Sequence, residues 1–424
     1  MKKIKNIYNI IISRENLYRS SYMASKCRRY TDSVADFNFH LEEGIDCLHQ
    51  ELLTKTYRHG KYRLFTIYEP KERKIAAAPF RDRVVHHAVH DVIEPRIDNT
   101  FIYDSYACRK EKGTHKAVDR AQSFLRANKF CFHGDVKKYF PSINHSILKG
   151  ILRKRIEDRD LLWLLDEIID SALDICGVKG LPIGNLTSQF FANLYLNELD
   201  YFIKFDLRAR YYLRYMDDFL VFGNGEKELL KIREMIRDFL KNSLDLSLHE
   251  SKSQVYKTKH GIKFLGFRIF KDYRRITSDN VRRFRKRLKR FTYLFENSNI
   301  KADEICDSVR CWVAHSKYAN TKGLRLNIWN NLVDPLRKDS ICKGDFSNKL
   351  RDILLDGVGI NPERERERER VKCDGRNFLF IYIKILKIRR IYSFVQEASF
   401  YNNAGDNNAF YSQPRSTRPL LLRR

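Results

Sequence analysis

The sequence predicts an α+β protein: strands and helices alternate along the first two thirds of the chain, and a helical region follows. Short apolar runs bounded by turn residues predict the strands, whereas apolar residues at every third or fourth position predict the helices. Hydrophobic residues make up 43% of the 424 residues, enough for a substantial core.

The first predicted elements surround a hairpin near residue 70. Residues 62–68 alternate in polarity like a strand and end at Glu69-Pro70, a turn signal, and 75–79 is a suitable partner strand. The predicted helices before residue 245 span 32–53, 84–93, 147–173, 187–204 and 226–242.

The central part predicts a strand at 129–136 and two further strands, 211–215 and 219–222, which flank Met216-Asp217-Asp218. A glycine-punctuated loop is expected at 177–184, and 262–270 is expected to be one strand.

Residues 281–295 predict an amphipathic helix whose polar face is strongly basic, with Val281, Phe284, Leu288, Phe291 and Phe295 on its apolar stripe. Such a face is either an ordinary solvated surface or a surface that follows phosphates, and the second is favoured in so basic a chain. After Asp356 the sequence alternates between Arg and Glu and then continues as a tail in which no motif indicates catalysis or binding.

The charge indicates a polyanionic partner. There are 81 Lys and Arg against 53 Asp and Glu, a net charge of +28, and the basic residues recur throughout the chain. This distribution favours nucleic acid over a membrane surface. The nine cysteines form no CxxC pair, as expected of a reducing cytoplasm, and the apolar run 378–395 is too interrupted by charges to predict a membrane span.

The carboxylates carry the clearest chemistry. Asp217 and Asp218 lie at a predicted hairpin tip, and Asp135 ends another apolar strand. Adjacent carboxylates repel each other unless a cation lies between them, and Mg²⁺ prefers oxygen ligands. If the strands are neighbours, the three acids form a metal site. An Asp-Asp pair alone would be compatible with an ordinary turn.

The motifs around these acids resemble those of reverse transcriptases. Tyr215-Met216-Asp217-Asp218 resembles the family signature, and other blocks occur in order across roughly residues 60–345. They are Lys71-Glu72-Arg73-Lys74-Ile75, Pro79-Phe80-Arg81-Asp82-Arg83, Ser105-Tyr106-Ala107-Cys108-Arg109-Lys110, Asp135 to Phe140, Lys252, and Phe264-Leu265-Gly266-Phe267. The third of these is typical of the bacterial, group II intron-like branch.

The resemblance implies a right-hand polymerase with fingers, a palm built on an antiparallel sheet, and an α-helical thumb. Its expected parts are an N-terminal helical segment at 1–54, fingers and palm at 55–275, a basic thumb at 276–345 and an uncertain low-complexity tail at 346–424. It also implies cDNA synthesis from an RNA template and a DNA or RNA primer, with dNTPs and two Mg²⁺ ions, or Mn²⁺ in their place.

The resemblance also implies roles for individual residues. Asp135, Asp217 and Asp218 would bind the metal with the Val136 carbonyl, Lys71 and Arg73 would bind the triphosphate, and Phe140 would exclude a 2′-hydroxyl. Lys252 is either a general acid for pyrophosphate or an electrostatic contact. The expected primer and template contacts are Leu265, Gly266, Arg282, Arg285, Lys286 and Lys289.

The loop Gly180 to Gln189 indicates a subtype. Ile183, Gly184 and Gln189 line the expected nucleotide site, and their Ile-Gly-x-x-x-Ser-Gln pattern resembles diversity-generating retroelement enzymes, which make error-prone cDNA. That subtype implies a small basic accessory protein and a prokaryotic or phage-encoded, cytoplasmic enzyme. The alternatives are a retron-type, CRISPR-associated or defence-related enzyme, a degenerate intron protein, and a non-catalytic RNA-binding, maturase-like protein.

Overall fold

The structure is a computed structural model, and it describes residues 3–68, 72–296, 300–330, 349–350 and 352–354. Several sequence predictions lie outside the described residues: the turn at Glu69-Pro70, Lys71, the end of the expected thumb at 331–345, and the tail except 349–350 and 352–354. No helix within these ranges is long and apolar enough to cross a bilayer.

A four-stranded antiparallel sheet forms the centre, in the order β4-β5-β3-β6. Its strands are β3 (Phe130–Asp135), β4 (Tyr211–Tyr215), β5 (Asp218–Gly223) and β6 (Gln254–Lys257). Every residue of β5 from Phe219 to Phe222 is buried, so both faces of the sheet are covered. The helices Thr114–Ala127 and Glu226–Leu244 pack against it.

The helices of the first 245 residues largely follow the predicted periodicity. They are α1 (Tyr8–Ile12), α2 (Arg14–Ser25), α3 (Asp32–Phe39), α4 (Leu41–Leu53), α5 (Phe80–Asp98), α6 (Thr114–Ala127), α7 (Tyr139–Ser142), α8 (His145–Arg155), α9 (Arg159–Asp170), α10 (Leu173–Cys176), α11 (Leu186–Tyr201) and α12 (Glu226–Leu244). A π-helical turn, Phe202–Asp206, extends α11.

Two predicted helices are interrupted. The predicted helix 32–53 breaks at His40, which leaves the helical region at φ −105°, ψ 38°; the apolar spacing continues across the break and so could not reveal it. The predicted helix 147–173 breaks because Asp158 caps α9 by accepting from the Leu161 amide. The same carboxylate also accepts from the amides of Ile7 and Tyr8, which ties α1 to α9.

The predicted strand 262–270 is a hairpin. Strands β7 (Ile262–Phe264) and β8 (Phe267–Ile269) pair antiparallel, and β9 (Arg274–Ile276) completes a three-stranded sheet. Leu265 and Gly266 make the turn with φ 48° and 87°, as in a type I′ turn. Leucine is unusual in this conformation, so the apolar run 262–270 did not indicate a turn at Leu265.

The other hairpin forms as predicted, from β1 (Arg63–Ile67) and β2 (Arg73–Ala77). The C-terminal part of the described chain is helical: α13 (Ser278–Glu296), α14 (Ala302–Ser316) and α15 (Lys322–Ile328). Phe284 of α13 stacks on Trp312 of α14 with 3.8 Å between ring centroids, so the predicted apolar stripe of α13 faces its helical neighbour.

Candidate active site

Strands β4 and β5 form an acidic hairpin with Met216 and Asp217 in its two-residue turn. Tyr215 and Asp218 are directly paired at its end. Met216 has φ 57°, a left-handed conformation that costs energy for any residue with a side chain, and such residues concentrate at functional sites.

Strand β3 brings Asp135 beside this hairpin. Asp135 is the register partner of Asp218, and opposed residues of an antiparallel pair place their side chains on the same face about 4.5–5.5 Å apart. The amide of Val136 donates to the Asp217 carbonyl oxygen at 3.2 Å. Asp135, Asp217 and Asp218, here called the acid cluster, therefore meet although 82 residues separate Asp135 from Asp217 along the chain.

Gly134 is required for this approach. A Cβ atom at Gly134 would lie 2.2 Å from the Phe219 ring, far inside van der Waals contact, and Phe219 is fully buried. Only glycine lets β3 and β5 pair at the level of the acids.

The acids affect one another electrostatically. Burial raises the pKa of Asp217 to about 6, and the charges of Asp135 and Asp218 add to the rise while Arg73 opposes it. The Asp135 carboxylate accepts from Lys252 Nζ at 2.9 and 3.1 Å, and His133 Nε2 lies 2.5 Å from Asp218 Oδ1. Burial alone would lower the pKa of His133, but Asp218 raises it overall.

The acid cluster suits a hard divalent cation. Within the described ranges, no three His, Cys, Asp or Glu side chains form a ready metal site as they are oriented, and two of the acids pair with Lys252 and His133 instead. Nevertheless three carboxylates lie together at the ends of neighbouring strands, and burial together with the charges of Asp135 and Asp218 raises the pKa of Asp217. A divalent cation would favour the ionised form of all three acids.

The β1–β2 hairpin and the 180–189 loop approach the same site. Arg73, exposed at the start of β2, is close enough to Asp217 to lower its pKa. The Ala76 amide of β2 donates to the Ile183 carbonyl oxygen at 3.0 Å. Gly184, at φ 124°, lies against Ile75, where a Cβ would be 3.0 Å from Cγ2.

The loop also reaches the residues that follow Asp135. The Leu181 amide donates to the Phe140 carbonyl oxygen at 2.9 Å, and Gln189 Oε1 lies 3.5 Å from Cys108 Sγ. Phe140 is half-buried, whereas its neighbour Tyr139 is buried and donates to the Ala192 carbonyl oxygen. Tyr139 is thus a core residue, and Phe140 is the aromatic residue of the pair that remains partly accessible.

A cleft of about 490 Å³ connects the acid cluster with the C-terminal helices. It is lined by Asp218, Lys263, Phe264, Leu265, Gly266, Thr277, Asp279, Arg282 and Arg283. The predicted primer-contact turn and the first basic residues of α13 therefore share one surface with Asp218. His315 of α14 supports that turn: a Cβ on Gly266 would be 3.2 Å from its Nε2.

The basic residues predicted on α13 are exposed, as expected of a surface that contacts a ligand: Arg282, Arg285, Lys286 and Lys289. Arg282 pairs with Asp279 at 2.9 Å, and Arg285 donates to Asn327 Oδ1 at 3.0 Å. Exposure is expected both of a solvated face and of a phosphate-facing surface, so the phosphate contacts stay a prediction.

Sequence reasoning missed a buried network beneath the acidic hairpin. Arg214 of β4 and Asp200 of α11 have side chains with 0% exposure and pair at 2.7 Å. Arg214 also donates to Asn193 Oδ1 at 3.1 Å, and Tyr212 donates to Asp200 at 2.6 Å. The signal was available: a lone charge inside the apolar strand Tyr-Tyr-Leu-Arg-Tyr requires a buried partner.

Comparison with known proteins identifies the domain. Residues 68–269 match the family model described as reverse transcriptase (RNA-dependent DNA polymerase). The chain is 27% identical over 277 residues to Protein YkfC of Escherichia coli (strain K12), covering 54% of this chain and 71% of that protein. It is 24% identical over 329 residues to the group II intron-encoded protein LtrA of Lactococcus lactis subsp. cremoris, covering 61% of this chain and 54% of LtrA.

Two further similarities are more distant. The retron Ec48 reverse transcriptase of Escherichia coli is 25% identical over 203 residues, covering 44% of this chain and 48% of that protein. Apo telomerase from Candida tropicalis is a structural neighbour with a TM-score of 0.43 and 13% identity, covering 80% of this chain and 68% of that one. The described residues have the α+β fold with antiparallel sheets expected of a right-hand polymerase. Residues 68–269, a little under half of the chain, match the reverse transcriptase family model, and group II intron-encoded proteins are among the relatives that the chain resembles.

Proposed function

We propose that this chain synthesises cDNA on an RNA template by nucleotidyl transfer at the acid cluster. The observation that carries the proposal is the pairing of Asp135 with Asp218, together with the bond from the Val136 amide to the Asp217 carbonyl oxygen. Three carboxylates that lie close together could share divalent cations with a primer end and a triphosphate, which supports the proposal.

Asp135 and Asp217 would hold the metal, with Asp218 and the Val136 carbonyl completing the ligand set. A pair of Mg²⁺ ions, or Mn²⁺ ions, would activate the primer 3′-hydroxyl and neutralise charge on the triphosphate and its leaving group. Lys252 pairs with Asp135 in the structure, and a cation at Asp135 would compete with this ammonium group. Released from Asp135, Lys252 would be available to the departing pyrophosphate as a general acid or as a charge partner.

The remaining residues would position the substrates. Lys71 and Arg73 would bind the triphosphate of the dNTP, since charge-assisted contacts to phosphate are strong. Phe140 would contact the sugar and exclude ribonucleotides. Leu265 and Gly266 would contact the primer, and the basic face of α13 would follow the phosphates of the duplex.

The test is primer extension. The full chain, an RNA template annealed to a DNA primer, dNTPs and Mg²⁺ should give extended primer, and Asp217→Asn should reduce the rate by at least about a thousandfold, as for loss of an essential catalytic group. Retained RNA binding with no extension by the native chain would instead favour the non-catalytic, maturase-like reading.

We further propose that the enzyme is error-prone and belongs to a diversity-generating retroelement of a prokaryote or phage, acting in the cytoplasm with a small basic accessory protein. Ile183 supports this: its carbonyl oxygen is bound by β2, but its alkyl side chain offers no hydrogen bond to a template base or nucleotide. Discrimination that depends on such bonds would be weakened. Ile183→Gln should lower misincorporation, and unchanged error rates opposite all four template bases would refute the role of Ile183.

Neighbouring genes separate the remaining alternatives. Paired template and variable repeats beside the gene are expected for the retroelement. A retron-type RNA gene, adjacent CRISPR genes or a defence locus would indicate one of the other subtypes, and intron sequence around the gene would indicate a degenerate intron protein.

A further inference from the structure

A second cleft, of about 760 Å³, lies on the other side of β4 from β5 and shares no lining residue with the acid cluster. It is formed by the end of α5, the loop 99–113 and α6. Five cationic side chains line it: Arg109, Lys110, Lys112, Lys116 and Arg120. So dense a group of cations on a concave surface favours an anionic ligand.

Most acids near this cleft already have partners. Arg109 bonds Asp98 through Nε at 2.5 Å and Nη2 at 3.1 Å, and Arg120 bonds Asp104 at 2.8 Å. Asp119 is bound by Arg274. Glu111 also lines the cleft and is exposed.

Two lysines of the cleft have no carboxylate partner among the described residues. Among the ion pairs of the described residues, Lys112 and Lys116 take part in none, because the neighbouring acids pair with arginines. Burial lowers the pKa of Lys112, and the charges of Arg109 and Lys116 lower it further while Asp104 and Asp98 oppose them. A bound anion would favour the charged form of this lysine.

The cleft also presents an aromatic ring. Tyr103 is 71% exposed, and Lys112 Nζ lies 3.6 Å from the centre of its ring while donating to its carbonyl oxygen at 2.8 Å. Lys112 thus lies against one face of the Tyr103 ring. An exposed ring beside cationic side chains is the combination by which proteins hold single-stranded nucleic acid, with bases stacked on the ring and phosphates on the cations.

Helix α6, which forms one wall of the cleft, also contacts the acidic hairpin. Thr114, at the start of α6, donates to the hydroxyl of Tyr215 at 3.1 Å, and His115 stacks on Tyr318 after α14. A strand bound in the cleft would therefore lie on a helix that is hydrogen-bonded to the acidic hairpin.

We infer that this cleft binds a single-stranded segment of RNA outside the primer–template duplex, with Tyr103 stacking on an unpaired base and Lys112 and Lys116 contacting phosphates. A duplex is not expected, because paired bases are already stacked on each other and cannot cover the ring. The inference rests on the proposed function only in taking RNA, the template, as the nucleic acid.

The test measures affinity of the full chain for a fluorescein-labelled, unstructured 20-nucleotide RNA. Tyr103→Ala should weaken binding on the order of tenfold, the scale of one lost base stack. Tyr103→Phe keeps the ring and should bind within about twofold of the native chain. Phe39→Ala removes another exposed aromatic side chain, 85% exposed and outside the cleft, and should have no effect.

Two further measurements complete the test. RNA carrying 5-iodouridine should crosslink to Tyr103 on irradiation, and Tyr103→Ala should still extend a short primer–template with only a brief unpaired template overhang at the native rate. Single-stranded DNA of the same sequence shows whether the cleft requires the 2′-hydroxyl; loss of affinity in Tyr103→Ala for either strand supports stacking.

The inference is wrong if Tyr103→Ala binds the RNA as tightly as the native chain. In that case, a 20-residue polyglutamate peptide can be tested as a second ligand. Binding of the peptide through Lys112 and Lys116 would identify the cleft as a site for an acidic protein. A native chain that binds RNA through Tyr103 but extends no primer would refute the proposed polymerase activity and still support this inference.

Discussion

Arg214 Nη1 donates a hydrogen bond of 3.1 Å to the carbonyl oxygen of Met216, the residue whose φ of 57° shapes the turn of the acidic hairpin. Arg214 is itself held by Asp200 through two bonds of 2.7 Å. The fully buried Arg214–Asp200 ion pair is thus hydrogen-bonded to the backbone next to Asp217. It stabilises a turn whose conformation is strained for a residue with a side chain.

Tyr212→Phe tests whether this network positions the acids. The change removes the hydroxyl bound to Asp200 at 2.6 Å and should lower the free energy of unfolding by about 1–2 kcal/mol. It should also raise the Mg²⁺ concentration needed for half-maximal extension, because Arg214 would hold the Met216 carbonyl oxygen less firmly. Thermal unfolding and a metal titration measure the two effects.

Tyr57→Phe is the matched control for Tyr212→Phe. Tyr57 is buried and donates to Asp82 at 2.8 Å, away from the acidic hairpin. It should lose similar stability without a change in the metal requirement. Equal metal responses in the two variants would show that the Arg214 network is only structural.

Gly134→Ala should separate β3 from β5. The new methyl group would overlap the buried Phe219 ring, and overpacking of this kind costs about 1–3 kcal/mol or more. Because Asp135 follows directly, extension should fall more steeply than stability. Gly150→Ala is the control: nothing lies within 4 Å of its Cβ position on α8, so it should be neutral or slightly stabilising. If Gly134→Ala retained both stability and extension, the close approach would be unnecessary.

Phe140→Ala should admit ribonucleotides. Removing the half-buried ring opens space beside the expected sugar, and the preference for dNTP over rNTP should fall by about tenfold to a hundredfold, the range of steric discrimination in a pocket. Single-nucleotide incorporation kinetics measure it. Tyr139→Phe removes only the hydroxyl bound to Ala192 and should leave sugar preference unchanged. An unaltered preference in Phe140→Ala would assign Phe140 to the core.

The basic face of α13 should determine the salt dependence of duplex binding. Replacing Lys286 and Lys289 by Ala should reduce the slope of log affinity against log salt by about one per lost phosphate contact. The double variant Lys227→Ala/Lys231→Ala removes two exposed lysines from α12 and should leave the slope unchanged. The same slope in both double variants would indicate that α13 has a merely solvated face.

The local signals in the sequence were sufficient for the elements near the acid cluster. The strands around Asp135 and Asp217 and the β1–β2 hairpin were predicted from apolar runs and turn residues, and all are present in the structure. The helix breaks at His40 and Asp158 and the turn at Leu265 were not predicted. Apolar periodicity continues through a helix break, and leucine does not signal a left-handed turn.

By itself, the sequence determined which residues have the chemistry: three acids at strand ends, a basic amphipathic helix, and the ordered motifs around them. Only the tertiary structure decided that Asp135 pairs with Asp218, that His133 and Lys252 each contact one of the acids, and that Arg214 donates to the Met216 carbonyl oxygen. Side-chain periodicity depends on neighbours along the chain, whereas strand order and buried charge pairing depend on residues far apart in the chain that burial brings together.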